Sequence, residues 1–175
     1  MTEVRRVVAC PECQVHWSLD EPARCAHPGH QHQLFEVHRH RSVVILPDRT
    51  KVTAVSFDPA DPYGRDKPPE YGLYLDRLWQ PPWAHEHLDW PDFGVPDDAA
   101  QVLAALGSFL ERARAGERVE LGCLGGHGRT GTALACLAVL SGVAPGQAVA
   151  WARANYCAEA VETAEQEAFV ATLEE

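Results

Sequence analysis

The stretch LGCLGGHGRTG, Leu121 to Gly131, packs five glycines, one cysteine and one histidine into eleven residues. Glycine loses more backbone freedom on folding than any other residue, so such a cluster must serve a geometry that other residues cannot adopt. RVELGC, running into the loop, reads as a buried strand. TALACLAVLSG, running out of it, is apolar nearly all round and reads as a buried helix. The loop thus joins a strand end to a helix start, where backbone N–H groups lack partners and the dipole is positive. Glycines let those groups turn inward and clear side chains from the approach, which makes a cradle for phosphate.

Two phosphate loops come into question. A nucleotide-binding loop needs Gly-x4-Gly-Lys-Ser/Thr. Here Gly128-Arg129-Thr130 replaces the lysine by arginine, and Cys123 stands at the opening glycine. A thiol at that place makes sense if the loop attacks phosphorus. Beneath inward N–H donors, at a helix N-terminus and beside Arg129, the sulfur anion is favoured. The planar fork of Arg129 suits two phosphate oxygens.

Cys123-x5-Arg129-Thr130, with Gly126 at the required glycine, resembles the signature His-Cys-x-x-Gly-x-x-Arg-Ser/Thr of the protein tyrosine phosphatase superfamily. WPDFGVP, Trp90 to Pro96, resembles the family's mobile general-acid loop letter for letter, and Asp92 lies 123 − 92 = 31 residues before Cys123. A weaker match is AVETAEQEAF, where Val161, Glu162, Thr163 and Gln166 align with the family's water-positioning segment. The resemblance implies an α/β fold, a twisted sheet flanked by helices. It implies a Cys123 nucleophile, Asp92 as acid and then base, and Arg129 with the loop residues Leu124, Gly125, Gly126, His127 and Gly128 binding phosphate. Thr130 would donate to the sulfur, and Glu162 or Gln166 would position water. The route needs no metal. The expected reaction is phosphomonoester hydrolysis through a phosphocysteine, on phosphotyrosine proteins. Alternatives are a non-protein phosphoester, such as an inositol lipid or metabolite, and a phosphate-binding protein without activity. One departure stands out: Gly122 replaces the histidine that usually precedes the nucleophile. His127, unusual within the loop, is a candidate to carry positive charge toward substrate.

RSVVILPDRTKVTAVSF predicts strands over 42–46 and 51–57 joined by the turn PDRT. YGLYL and HEHLD suggest further short strands. Pro96, Asp97 and Asp98 suit the start of a helix whose stripe is Ala99, Val102, Leu103, Leu106, Leu110 and Ala113, capped by Gly116. Pro145 opens another helix through Ala154, and Thr163 with Gln166 predicts a capping box for the last.

CPECQVHWSLDEPARCAHPGHQH gathers Cys10, Cys13, Cys25, His27, His30 and His32. Cys-Pro-x-Cys presents two sulfurs to one ion, and Cys25-x4-His30 is the best second pair by spacing, with His27 and His32 open as alternatives. Three thiolates and an imidazole make a closed, structural zinc site stapling a strand-poor segment. The expected organisation is therefore a Cys/His-rich segment over residues 1–40 and a phosphatase-like domain over 41–175.

The chain's 175 residues suit one domain, and 46% hydrophobic residues supply a core without disulfides. A net charge of −10 argues against non-specific nucleic-acid or anionic-membrane binding, so an anionic substrate needs a local positive pocket. No apolar stretch has transmembrane length and the start lacks a signal-peptide core, which reads as cytoplasmic. Plainer roles compete: Cys123 as a small buried residue, Asp92 as a helix-end charge, Gln166 as a cap only. Cys136 and Cys157 are expected to fill core space, and His38, His40, His85 and His87 to lie on strand surfaces, with a second metal site open.

Overall fold

The computed structural model describes residues 4–13 and 15–173. The elements in chain order are β1 (Val4–Cys10), β2 (Val15–Ser18), β3 (Gln33–His38), β4 (Arg41–Ile45), β5 (Lys51–Ser56), β6 (Tyr71–Tyr74), β7 (His85–His87), α1 (Ala99–Arg114), β8 (Val119–Cys123), α2 (Gly128–Leu140), α3 (Pro145–Asn155) and α4 (Ala164–Ala171).

β8 organises the main sheet. All five of its residues are buried, as a central strand covered on both faces must be. Side chains alternate across a strand. Val119, Leu121 and Cys123 join the main core with Leu106, Leu134 and Leu137. Glu120 and Gly122 face the other side, beside the aromatic cluster of Tyr74 and Trp79. A buried carboxylate there must be paired. Arg65 grips Glu120 with two bonds of 2.8 and 3.0 Å, and the Tyr74 hydroxyl donates a third at 2.8 Å.

The five strands run in the order β4-β5-β8-β6-β7. β4 and β5 are antiparallel, and β5, β8, β6 and β7 are mutually parallel. The carboxyl end of β8 therefore opens at the edge where parallel sheets place ligands. α1 packs against β5, β8 and α2, and α2 packs against β8, α3 and α4. The apolar run of α2 is buried from Gly128 through Ala138.

The expected strands at 42–46 and 51–57 form, as do those in YGLYL and HEHLD. The first helix starts later than its proline suggested. Asp98 is its N-cap, accepting from the Gln101 N–H at 2.9 Å, so Pro96 and Asp97 precede the helix. Its buried face is Val102, Leu106, Phe109, Leu110 and Ala113; Ala99 and Leu103 lie at the margin. Gly116 takes a φ of 92° just past the end, as a left-handed cap requires. The capping box of Thr163 and Gln166 forms in full.

The N-terminal segment departs from the strand-poor expectation. It holds a three-stranded antiparallel sheet in the order β2-β1-β3. Its buried cluster is small, comprising Val8, Cys10, Trp17 and Cys25. The hydrogen-bonding pattern of VRRVVAC with QLFEVH was not legible because neither run alternates cleanly between apolar and polar residues.

Candidate active site

Cys123 ends β8 with 2% of its surface exposed. Its sulfur accepts from the Gly126 N–H at 3.2 Å and from the Thr130 hydroxyl at 3.0 Å. Gly126 adopts a φ of 74°, which glycine reaches at no steric cost and which turns its N–H toward the sulfur. The next residues open α2, and its N-cap, His127, supplies no side-chain cap. The free N–H groups and positive dipole of that helix are thus left for an anion. Behind the turn, the half-buried Tyr156 donates its hydroxyl to the Gly126 carbonyl at 2.6 Å and holds the loop's shape.

Arg129 follows on the first turn of α2 and is 5% exposed. Nη1 donates to the Leu75 and Trp90 carbonyls at 2.8 and 3.2 Å, and Nη2 to Asp76 at 3.0 Å. Its Nε is buried and has no hydrogen-bond partner among the described residues. An unpartnered buried donor on a charged group is costly, which marks this atom as one meant for a ligand oxygen. Burial pulls the guanidinium down, and the charges of Cys123, Asp92 and Asp76 outweigh it, holding Arg129 above its ordinary value.

Asp92 Oδ1 lies 3.3 Å from Arg129 Nη2, so the WPDFGVP loop sits over the cradle. The Asp92 side chain is 54% exposed, and a pair so open to solvent is worth about 0–1 kcal/mol. Asp76, at 17% exposure, is the stronger partner. The loop is anchored instead at Trp90, which is buried, packs edge-on to Phe169 and donates to the Gly94 carbonyl at 2.9 Å. Phe93 beside Asp92 takes a φ of 58° and is half exposed; Val161 takes 64°. For bulky and β-branched residues these are strained conformations, and both flank the cradle.

Gln166 is buried at the start of α4 and serves as more than a cap. Its Nε2 donates to the Gly94 carbonyl at 3.2 Å, tying α4 to the Asp92 loop. A side chain at Gly128 would meet the Glu162 carboxylate and the Gln166 amide, so both reach the loop. Partial desolvation at this mouth raises the Glu162 carboxyl, and Asp92 adds to the shift, although Glu162 keeps a solvent-facing surface.

Two sequence expectations are corrected here. The ring of His127 does not point toward the cradle opening. It is buried, and its Nε2 lies 2.9 Å from Nε2 of His40. His40 is itself 7% exposed, so it is not a strand-surface residue; the His38 side chain lies outside the described residues. Cys157 is half-buried beside this pair and packs against the main core, whereas Cys136 is fully buried within it. Gly122 has a packing cause. A Cβ there would fall 2.7 Å from Val55 Cγ2, 2.9 Å from the Val55 carbonyl and 3.2 Å from the Trp79 indole. No histidine fits. Asp76, which follows YGLYL without any motif around it, was missed; only its position at the end of a strand beside β8 brings it to Arg129.

A second cluster lies in the N-terminal sheet. Nδ1 of His30 stands 3.5, 3.4 and 3.6 Å from the sulfurs of Cys10, Cys13 and Cys25, and the latter two sulfurs are 3.6 Å apart. Zinc bonds of about 2.3 Å to sulfur and 2.0–2.1 Å to nitrogen put tetrahedral neighbours about 3.5–3.8 Å apart, which these spacings match. His30 is the imidazole within reach of all three sulfurs, and His32 packs edge-on to Trp17.

Residues 81–170 match the family model of the Swiss Army Knife protein DSP-PTPase phosphatase domain. Two uncharacterized proteins of Methanocaldococcus jannaschii are 37% and 36% identical over 110 residues; the shared region is 56% of this chain and 71% and 66% of theirs. Among solved structures, Tk-PTP in its active form is 29% identical with a TM-score of 0.50, over 58% of this chain and 76% of that one. The fold also resembles kinase associated phosphatase carrying a serine for its catalytic cysteine, with a TM-score of 0.61, 16% identity, and 75% and 92% of the two chains covered. Protein tyrosine phosphatase TbPTP1 of Trypanosoma brucei gives 0.58, 15%, 77% and 71%. A buried thiol in a glycine loop at the carboxyl end of β8, with an arginine one helical turn on, sits inside the matched region, and the chain belongs to the dual-specificity and tyrosine phosphatase superfamily, in the DSP-PTPase family of that model.

Proposed function

We propose that the chain hydrolyses phosphomonoesters through a phosphocysteine at Cys123, acting on phosphotyrosine proteins. One observation carries the reading: a buried sulfur receives an amide and a hydroxyl at a helix N-terminus, next to a buried Arg129 Nε with no partner. Cys123 attacks phosphorus in line, and Asp92 gives its proton to the departing oxygen. Arg129 and the amides of Leu124, Gly125, Gly126, His127 and Gly128 stabilise the equatorial oxygens. Asp92 then takes a proton from the water that hydrolyses the thiophosphate, with Gln166 or Glu162 positioning that water. Phosphate and the Cys123 thiolate are released, and Thr130 donates to the returning sulfur. The half-exposed Phe93, next to the acid, offers an aromatic face for a phenolic leaving group. Tyr63 and Tyr71 are engaged elsewhere, with Trp79 and Trp83 and with Glu86.

The test is hydrolysis of a generic aryl phosphate by the native chain, Cys123→Ser and Asp92→Ala. Cys123→Ser is expected to be inactive, and Asp92→Ala to lose turnover while still binding vanadate. Activity surviving in Cys123→Ser rules the mechanism out. Equal rates on phosphoserine and phosphotyrosine peptides would defeat the phosphotyrosine assignment.

The donor set of Cys10, Cys13, Cys25 and His30 fits one structural zinc, with four protein ligands and no open position. Residues 1–40 are then a zinc-stabilised segment ahead of a phosphatase domain over 41–175. Among the described residues no helix is long and apolar enough to cross a membrane. Six unbridged cysteines suit a reducing compartment, which supports a cytoplasmic protein acting on phosphorylated proteins or small phosphoesters.

A further inference from the structure

The pair of imidazoles behind the nucleophile loop has a third member. Ligand atoms of His40, His127 and Cys157 all lie within 4.8 Å of one another. Glu159 reaches the same place, its Oε2 3.6 Å from Nε2 of His127. The four come from three distant segments. His40 sits in the link between β3 and β4, where its backbone N–H donates to the Ser56 hydroxyl at 2.9 Å and its carbonyl accepts from the Ser56 N–H at 3.0 Å. His127 belongs to the phosphate loop, and Cys157 and Glu159 lie between α3 and α4. Both histidines are buried, while Cys157 and Glu159 keep solvent contact that gives an ion a way in.

Two imidazole nitrogens facing each other at 2.9 Å must share one proton or one cation. A packing pair needs nothing more. A thiol and a carboxylate converging on that same nitrogen pair make the donor set of a thiophilic divalent ion. Tetrahedral zinc places such donors about 3.3–3.6 Å apart; the imidazole nitrogens at 2.9 Å need only part slightly, and Glu159 Oε2 already stands 3.6 Å from His127 Nε2. We propose that His40, His127 and Cys157, completed by Glu159, form a second site for zinc or a similar divalent cation. Two thiolate or carboxylate charges against a dication leave it neutral, so its burial is not opposed by net charge. The ion would tie the end of the N-terminal segment, the nucleophile loop and the segment leading to Glu162 and Gln166 at one point.

The experiment uses the full chain, stripped with a chelator and titrated with zinc alone. The native chain is expected to bind one equivalent more than Cys157→Ser, and His40→Ala to lose the same equivalent. Cys13→Ala is expected to keep it, which separates this site from the N-terminal cluster. Native chain and Cys157→Ser binding the same amount overturns the proposal. A readout on the unaltered protein guards against misfolded variants. Alkylation of Cys157, followed by peptide mass spectrometry, is expected to slow about tenfold or more in zinc, since a coordinated thiolate is blocked. An unchanged rate refutes the site.

Discussion

Replacing Gly122 by alanine tests whether packing fixed the residue before Cys123. The added methyl would lie 2.7 Å from Val55 Cγ2 and 2.9 Å from the Val55 carbonyl, against ordinary contacts of 3.4–4 Å. The Val55 side chain can give way, but its carbonyl is part of the β5–β8 ladder, in which Val55 pairs with Gly122. Relief therefore requires moving backbone next to Cys123. Overpacking a tight core costs about 1–3 kcal/mol. For a chain of this size each kcal/mol lowers the melting temperature by about 2–4 °C, so a drop of roughly 2–12 °C is expected. Urea unfolding and thermal melting measure it. The double variant Val55→Ala/Gly122→Ala removes the side-chain clash and leaves the carbonyl clash. It is expected to be more stable than the sum of the single changes by about 0.5 kcal/mol or more. A Gly122→Ala protein as stable as the native chain, or strict additivity in the cycle, would refute the packing account. So would an active, stable Gly122→His.

Asp76→Asn takes the stronger charged partner from Arg129; at about 1.5–3 kcal/mol for a charge-assisted bond, kcat/KM on an aryl phosphate should fall about ten- to a hundredfold. An unchanged value would make Asp76 a bystander. Glu162 binds its proton more tightly folded than unfolded, so its contribution to stability is present below the ordinary carboxylate range and lost as pH rises through the raised value. Glu162→Gln should therefore melt higher than the native chain at neutral pH, with the gain shrinking in acid; a gain independent of pH contradicts the shift. Stripping zinc with a chelator, or Cys13→Ala, should open the β1–β3 sheet, which ends ahead of His40, to protease before the rest of the chain, because its buried cluster of Val8, Trp17 and two cysteines is too small to hold a sheet alone. Identical cleavage with and without metal would exclude the zinc staple.

Much of the site was legible because it is written in contiguous residues. Cys123 to Thr130 specifies a loop whose form follows from glycine φ angles and the helix that begins there. WPDFGVP and the Thr163–Gln166 box are likewise local. The sheet hairpin at 42–56 followed from a turn between β-branched runs. What failed to show was every contact made across the fold. His40 meets His127 over 87 residues, and Asp76 reaches Arg129 over 53. Nor does RVELGC show what pairs its buried Glu120, since Arg65 and Tyr74 come from 55 and 46 residues away.

Local sequence was enough for the Cys123–Thr130 loop, the WPDFGVP segment and the Cys/His cluster, since bond rotations, caps and turns depend on neighbours in the chain. The tertiary structure decided the rest: why a glycine precedes Cys123, which carboxylate holds Arg129, and where the loop histidine turns. Those outcomes depend on which strands lie side by side, and the order β4-β5-β8-β6-β7 is fixed only when distant apolar surfaces are buried against one another.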